Sequence, residues 1–278
     1  MTETPPKACV IGHPVAHSRS PKLHGYWLRT LGIAGAYELA DVTEEQFPEF
    51  LRTLRARGYV GSNITVPHKE TAFRLVTHRD EAARAIGAVN VIWYENGELV
   101  AGNTDVHGFL AHLDATAPDW DGAPRRAVIL GAGGGARSIT YGLRSRGVTV
   151  DVVNRTIARA EKLAADFGAS AHGWDDFSHL LARADLLVNA TSMGMIGKPP
   201  LDIDLAPLPQ HAIVYDIVYV PLETALLRAA RGRGHRTVDG LGMLLHQAVP
   251  AFARWFGVTP RVTPELRAMI EADIKASV

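Results

Sequence analysis

A lysine stands at an unusual place in the stretch NITVPHKE, residues 63–70. Asn63–Val66 has the composition of a β-strand, Pro67 ends it, and His68 to Glu70 has that of the first turn of a helix. That turn carries the positive end of the helix dipole, which disfavours an ammonium by about 0.3–1 kcal/mol at most. An ammonium beside a substrate oxygen can exchange a proton with it and stabilise an alkoxide. Lys69 is therefore a candidate acid–base residue; the alternative is a solvated surface lysine.

A glycine-rich loop follows the predicted strand Ala127–Leu130 and precedes a predicted helix. Residues 131–136 read GAGGGA, which matches the pattern G-x-G-x-x-G/A. The first glycine permits a tight turn, and the second lets the backbone approach a pyrophosphate at the helix N-terminus. Because the loop lies inside a βαβ unit, it predicts dinucleotide binding rather than a turn without a ligand. The expected cofactor-binding residues of the loop are Gly131, Ala132, Gly133, Gly134 and Gly135.

The residues after the next predicted strand select the dinucleotide. NAD-binding units place an acid about 20 residues after the loop begins, where it bonds the ribose hydroxyls. Here that position reads Asn154-Arg155-Thr156, and Asp151 lies too early, inside the strand. A guanidinium suits the oxygens of a 2′-phosphate. We therefore expect NADP at Arg155, with hydrogen bonds from Asn154 and Thr156 and added charge from Arg159; the alternative is an exposed arginine at a helix start.

The first third of the chain predicts a mixed α/β region that would position Lys69. Ser20 is the expected N-cap of a helix over Pro21–Leu31, and Gly58 ends a second helix over Glu44–Arg57. A hairpin is predicted around Asn96-Gly97, the strongest short hairpin signal. The strands expected here span Ala8–Ile11, Tyr37–Val42, Tyr59–Val66, Val89–Tyr94 and Leu99–Ala101.

The rest of the chain alternates strands and helices, which is typical of a parallel, doubly wound sheet. The polar segment Pro118–Arg126 precedes it and has the composition of a linker or domain edge. The expected strands are 127–130, 148–153, 186–189 and 213–217. The expected helices are 136–146, 157–167, 241–256 and 264–276.

Composition places the chain among ordinary globular proteins. Of 278 residues, 47% are hydrophobic, and 29 basic residues balance 29 acidic ones, so no net positive field attracts nucleic acid or anionic lipid. Cys9 has no partner for an intrachain disulfide. No N-terminal apolar region follows a basic start as in a signal peptide, and no apolar run approaches the length of a membrane span, so the expected compartment is the cytoplasm. The twelve histidines form no known metal-binding pattern, and no metal is expected.

Several stretches resemble the shikimate dehydrogenase family, in the family's order and over nearly the whole chain. Any one of them could arise by chance, whereas the ordered set points to the family. They are His17-Ser18-Arg19-Ser20-Pro21 with His24, Asn63–Lys69, Gly87–Asn90, Gly102–Asp105, Gly131–Gly135, Asn154–Thr156, Asn189–Met195, and Asp239–Met243 with Gln247.

The resemblance implies a two-domain α/β protein with an active-site cleft. A mixed α/β substrate-binding domain would span residues 1–108, completed by helices within 240–278. A doubly wound Rossmann NADP-binding domain would span residues 109–239. The implied reaction is reversible hydride transfer between NADPH and the 3-keto group of 3-dehydroshikimate, in the pathway to chorismate and the aromatic amino acids. The implied partner is this small molecule alone, with no nucleic acid and no membrane, and the protein would be a monomer or homodimer.

The resemblance also implies roles for individual residues. Ser18 and Ser20 would hydrogen-bond the substrate carboxylate, with helix capping as the alternative. Lys69 would be the general acid and base, and Asp105 would position its ammonium. The other implied substrate-side and nicotinamide-side residues are Thr65, Asn90, Gln247, Tyr219, Ile217 and Gly240.

Three departures from the family pattern are expected to border the substrate pocket. Val106-His107 follows Asp105 where the family usually has glycine, Gly25 follows His24, and Val91 follows Asn90. The serine motif favours shikimate, because relatives that also use quinate tend to carry threonine at the second serine. The alternatives are a quinate/shikimate or aminoshikimate dehydrogenase and a catalytically silent metabolite-binding regulator.

Overall fold

The computed structural model describes residues 5–122 and 125–277. These residues fall into two compact units, one within Met1–Thr104 and Gln247–Ala272, the other within Asp105–His246 and Asp273–Val278. The chain therefore changes unit after residues 104, 246 and 272. The functional domain boundaries expected at residues 108 and 240 stay a prediction.

The first unit contains a six-stranded mixed sheet. Its strands are β1 (Lys7–Gly12), β2 (Ala36–Asp41), β3 (Tyr59–Ile64), β4 (His78–Arg79), β5 (Val91–Glu95) and β6 (Glu98–Gly102). Their order is β2-β1-β3-β5-β6-β4. β1 pairs in parallel with β2 and β3, whereas β5 pairs antiparallel with both β3 and β6. The β5–β6 hairpin turns at Asn96 and Gly97, whose φ angles are 52° and 86°, as the Asn-Gly pair predicted.

Four helices lie between these strands: α1 (Ser20–Thr30), α2 (Phe47–Arg52), α3 (Lys69–Leu75) and α4 (Glu81–Ile86). The prediction that Ser20 caps α1 was wrong by one residue, because the amide of Leu23 already bonds the carbonyl of Arg19, which makes Arg19 the N-cap. The helix expected over Glu44–Arg57 is shorter. Pro48 lacks an amide hydrogen and fits only the first turn, so α2 starts at Phe47.

The second unit contains a six-stranded parallel sheet, as the alternating pattern predicted. Its strands are β7 (Arg126–Leu130), β8 (Thr149–Val153), β9 (Ser170–His172), β10 (Leu186–Asn189), β11 (Ile213–Asp216) and β12 (Arg236–Val238), in the order β12-β11-β10-β7-β8-β9. Ala127 and Ile129 pack into one apolar cluster, and Val128 and Leu130 into another. Since successive strand residues point to opposite faces, both faces of the sheet are covered.

The remaining helices are α5 (Asp105–Thr116), α6 (Gly134–Ser145), α7 (Ile157–Phe167), α8 (Phe177–Leu181), α9 (Ala225–Gly232), α10 (Gly240–Phe256) and α11 (Pro264–Ala276). A 3₁₀ turn covers Trp174–Asp176. The segment expected as a linker or domain edge joins α5 to β7 inside the second unit, so it is not a domain edge; Ala123 and Pro124 lie outside the described residues. Among the described helices, none has the length and apolar character needed to cross a bilayer.

Candidate active site

Lys69 is the first residue of α3, as the sequence predicted, and it is half-buried. The turn before it is tied to the end of β1. The amide of Thr65 donates to the carbonyl of Ile11 at 2.9 Å, and the amide of His13 donates to the carbonyl of Val66 at 3.2 Å. The amide of Val89 donates to the carbonyl of Lys69 itself at 3.1 Å. The backbone that carries the lysine is therefore fixed from two sides.

A chain of hydrogen bonds crosses the first unit. The hydroxyl of Tyr37 donates to Oδ1 of Asn63 at 2.6 Å, and Nδ2 of Asn63 donates to the carbonyl of Asn90 at 3.2 Å. Nδ2 of Asn90 donates to Oγ1 of Thr104 at 3.1 Å, and that hydroxyl lies 3.4 Å from Oε1 of Gln247. Amide and hydroxyl groups from five chain segments thus form one polar network within the first unit.

The two serines of the first motif lie at the start of α1. Oγ of Ser18 accepts a hydrogen bond from the amide of Ser20 at 3.3 Å, so Ser18 also caps the turn. Ser20 is buried and joins the network: burial raises the pKa of Tyr37 well above its ordinary value, and a hydrogen bond with Ser20 opposes the shift. Of the predicted substrate-side residues, the structure brings Ser18, Ser20, Asn90 and Gln247 together in this unit.

Three members of this network were missed as site residues: Tyr37, Asn63 and Thr104. Asn63 offered a signal, because a buried asparagine inside an apolar strand needs hydrogen-bond partners. Tyr37 offered none, since its partner lies 26 residues away. Thr104 lies in the family stretch Gly102–Asp105 but was not assigned a role, and its contact with Gln247 spans 143 residues. Thr65, which the sequence placed in the site, follows β3 and is half-buried.

An imidazole lies beneath Tyr37. The ring of His24 stacks on that of Tyr37, with centroids 4.1 Å apart, and on that of Phe252 at 5.9 Å. His24 has no exposed surface, and burial lowers its pKa to about 3. A neutral histidine in an aromatic stack therefore supports the hydroxyl that begins the polar network.

Asp105 is the first residue of α5, in the second unit, and is half-buried. A carboxylate in the first turn of a helix is stabilised by the helix dipole. Tyr219 follows β11 in the same unit and is also half-buried. The pairing of Asp105 with Lys69 stays a prediction.

The glycine loop of the second unit fits a pyrophosphate. Gly131 has a φ of 106°, and a Cβ there would lie 3.0 Å from Cγ2 of Thr191, so only glycine suits this turn. Gly133 caps α6, and a Cβ at Gly133 or Gly134 would meet no atom within 4 Å. Their backbone faces open space at the helix N-terminus, which is where an anion binds. Ala136, in the third position of the motif, is fully buried against the sheet.

The two residues expected near the nicotinamide lie together. Gly240, the first residue of α10, approaches the backbone of Ile217 and Val218 so closely that a Cβ there would overlap Ile217. Cδ1 of Ile217 would in turn lie 3.0 Å from a Cβ at Gly135. Ile217 therefore connects the glycine loop to the start of α10 within the second unit.

The turn after β8 and the first turn of α7 present two positively charged side chains, those of Arg155 and Arg159, to solvent. Nδ2 of Asn154 donates to the carbonyl of Thr156 at 2.8 Å, which shapes the turn. Arg155 and Arg159 are exposed, and neither has a carboxylate partner within residues 5–122 and 125–277. Asp151, by contrast, is buried and pairs with Arg126 at 2.6 Å. Its place inside the strand makes it a structural carboxylate, as the sequence indicated.

A buried carboxylate that the sequence did not single out organises the ends of β10 and β11. Asp216 accepts hydrogen bonds from Nδ2 of Asn189 at 2.9 Å and from the hydroxyl of Thr224 at 2.7 Å, and burial raises its pKa. Oδ1 of Asn189 accepts from the hydroxyl of Thr191 at 2.7 Å. Since Thr191 also limits the space beside Gly131, this network fixes one wall of the glycine loop.

Val106 packs against α6, and its expected place beside the substrate pocket stays a prediction. Val106 is half-buried, and its Cγ1 would lie 3.2 Å from a Cβ at Gly142, so it packs between α5 and α6. His107 beside it is exposed. The part of the chain that the structure describes also contains no group of three or more His, Cys, Asp or Glu side chains arranged to hold a metal ion.

Comparison with known proteins decides the family. Three family models match successive parts of the chain: the shikimate dehydrogenase substrate binding domain at residues 10–92, shikimate/quinate 5-dehydrogenase at 117–196, and the shikimate 5′-dehydrogenase C-terminal domain at 240–271. A curated shikimate dehydrogenase (NADP(+)) from Methylocella silvestris is 56% identical over 277 residues, which cover 99% of both chains. The chain belongs to the shikimate dehydrogenase family.

Solved structures of the shikimate dehydrogenase family have the same fold. The enzyme of Thermus thermophilus, in complex with NADP(H) and shikimate, is 36% identical with a TM-score of 0.84, covering 98% of this chain and 100% of that one. Quinate dehydrogenase from Corynebacterium glutamicum, in complex with NAD, is 31% identical with a TM-score of 0.87, covering 99% of both. The resemblance inferred from the ordered motifs is thus confirmed.

Proposed function

We propose that the protein catalyses the NADP-dependent, reversible reduction of 3-dehydroshikimate to shikimate, a step toward chorismate and the aromatic amino acids. The observation that carries this proposal is the polar network that runs from Ser20 through Asn90 to Gln247 in the first unit. A hydroxylated ring with a carboxylate needs many donors and acceptors from different segments, and this network supplies them.

The proposed substrate-binding residues are those that the family resemblance implies. Ser18 and Ser20 donate to the carboxylate of the substrate from the start of α1. Thr65, Asn90, Asp105 and Gln247 bond its ring hydroxyls, and Tyr219 adds a phenol. The half-buried state of Thr65, which directly follows β3, supports its place beside a small ligand. Each contact is assigned from the role that the resemblance implies for the residue, and substitution of that residue tests the assignment.

The second unit holds the cofactor, which supplies the hydride when it is bound. The amides of Gly133, Gly134 and Gly135 receive the pyrophosphate at the start of α6. Arg155 pairs with the 2′-phosphate, assisted by Arg159. Ile217 and Gly240 line the nicotinamide side. The open space beside Gly133 and Gly134 and the exposed guanidinium of Arg155 support this placement.

Lys69 moves the proton. Hydride delivery to the ketone carbon leaves negative charge on the carbonyl oxygen, which then takes a proton from Nζ of Lys69. The ammonium also stabilises the developing alkoxide before the transfer is complete. In the oxidative direction the neutral amine removes the same proton. Asp105 orients the ammonium and bonds the adjacent hydroxyl, so the pair acts as a unit.

A quinate dehydrogenase is the second candidate, since one of that activity shares the fold at 31% identity. The serine pair and Arg155 favour shikimate and NADP. We also infer a cytoplasmic monomer or homodimer, consistent with a single buried cysteine that allows no intrachain disulfide.

A substrate panel tests the proposal directly. The purified protein is assayed with shikimate, quinate and aminoshikimate, each with NADP and with NAD. We expect the highest kcat/KM for shikimate with NADP. Preference for quinate would support the second candidate, and aminoshikimate preference would indicate that related activity. NADPH binding without turnover of any substrate would indicate the silent regulator.

A further inference from the structure

We propose that His68 is a positioning residue that sets the place of Lys69. The inference rests on the proposed acid–base role of Lys69 and assigns a task to a side chain that the mechanism does not otherwise use. His68 precedes Lys69 and is the N-cap residue of α3, but its side chain does not cap the helix. It points instead into the body of the first unit.

Burial in the turn before Lys69 is concentrated in one side chain. Val66 is 69% exposed, Glu70 is exposed, and Thr65, Pro67 and Lys69 are half-buried. His68 alone among residues 65–70 is buried, with 1% of its surface exposed. The imidazole is therefore the side chain of this turn that packs most completely into the first unit.

The imidazole is held in two directions. Nε2 lies 2.6 Å from the carbonyl oxygen of Val42, just after β2. Because a carbonyl only accepts hydrogen bonds, Nε2 carries the proton and donates it. The ring face stacks on Phe47, the first residue of α2, with centroids 4.3 Å apart and planes 4° apart. Phe47 is fully buried, so it provides a fixed surface.

The ring adds a side-chain anchor next to the backbone bonds that hold Lys69. The amide of His68 donates to the carbonyl of Thr65 at 2.9 Å, and its carbonyl accepts from the amide of Ala72 at 2.8 Å. Lys69 follows His68 directly and lies inside the helical turn that the second bond closes. A shift of the His68 ring would therefore move the backbone that carries Nζ, and a displacement of about 1 Å at a reacting group can lower a rate by roughly 100-fold.

Three variants separate the hydrogen bond from the stacking. His68→Phe keeps an aromatic ring against Phe47 and removes the donor to Val42. His68→Gln offers an amide donor near the position of Nε2. His78→Phe is the control, since His78 lies on β4 with its side chain 59% exposed. We expect kcat to fall roughly 10–100-fold in His68→Phe, to recover in part in His68→Gln, and to stay unchanged in His78→Phe. The KM for NADP should not change in any of them.

A double variant distinguishes positioning from general damage. In a Lys69→Ala background, His68→Phe should lower kcat no further, because its effect acts through the lysine. A further fall of the same size would overturn the inference, as would a folded His68→Phe variant with wild-type kcat. If His68→Phe does not fold, Phe47→Leu decides: a lower kcat that vanishes in the Lys69→Ala background supports the inference, and an unchanged kcat overturns it. Near-wild-type turnover of Lys69→Ala alone would instead overturn the proposed role of the lysine and this inference with it.

Discussion

The imidazole of His24 stacks on the phenol ring of Tyr37, with ring centroids 4.1 Å apart and planes inclined by 10°. The hydroxyl of the same tyrosine donates to Asn63, so the stack supports the polar network. His24 is buried and stays neutral, since burial lowers its pKa to about 3. The site therefore contains a histidine whose charged form is disfavoured in the folded chain.

His24→Phe should make the protein less sensitive to acid. The unfolded chain binds a proton at His24 below about pH 6.5, whereas the folded chain does so only near pH 3. The stability from this group is thus present above pH 6.5 and is lost progressively as the pH falls toward 3. Between pH 7 and 4.5 the free energy of unfolding of the wild type should fall by about 2–3 kcal/mol more than that of the variant. Urea unfolding at both pH values measures this, and equal pH slopes would contradict it.

Arg155→Ala should weaken NADP recognition selectively. A lost charge-assisted hydrogen bond is worth about 1.5–3 kcal/mol, so the KM for NADP should rise roughly 10–150-fold while that for NAD changes little. Arg183→Ala, which removes another exposed arginine of the second unit, is the matched control. An equal effect on both cofactors would show that Arg155 does not face the 2′-phosphate.

Ser18→Ala and Ser20→Ala should each raise the Kd for shikimate by about tenfold or more, because a hydrogen bond to a charged group is lost. NADP binding should be nearly unchanged. Some stability should also be lost, since Ser18 accepts from the amide of Ser20 and Ser20 bonds Tyr37. Calorimetric titration with shikimate and thermal melts separate the two effects. A lower Tm with an unchanged Kd would mean that the serines only stabilise the start of α1 and its contact with Tyr37.

Val106→Gly should change stability rather than chemistry. The side chain packs between α5 and α6, so its removal loses that contact and adds the cost of a helical glycine, together about 1–2 kcal/mol. His107→Gly, at the exposed neighbouring position, measures the glycine cost alone. Turnover and the KM for shikimate should stay close to wild type in both variants. Loss of activity in Val106→Gly alone would indicate that this residue borders the substrate pocket.

Much of the second unit could be predicted from sequence. The hydrophobic periodicity and the residues that begin and end helices and strands indicate the same element boundaries there. The ends of α7, β10 and α11 are those predicted. The first unit was harder, as α2 shows, where Pro48 outweighed a helical pattern that begins earlier. The glycine loop could be predicted because its pattern lies within six consecutive residues, Gly131–Ala136. The polar network could be predicted only in part. Thr104 and Gln247 are in contact although 143 residues separate them in the chain, and no sequence feature near Thr104 indicates that contact.

Asp105 and Lys69 are expected to act together. Asp105→Asn should lower kcat, because the amide cannot attract the ammonium as a carboxylate does. The Lys69→Ala, Asp105→Asn double variant should lose less than the product of the two single losses, since the pair acts as a unit. Independent, multiplicative losses in the steady-state rates would show that the two residues serve separate tasks.

The most direct test of the account is the turnover number of Lys69→Ala with saturating shikimate and NADP. The variant must be folded, which its Tm and its binding of NADPH establish. We predict that kcat falls by roughly 10²–10⁴-fold, the usual contribution of a general acid–base group, while the KM for shikimate changes little. A folded Lys69→Ala protein that turns over shikimate at nearly the wild-type rate would contradict the account.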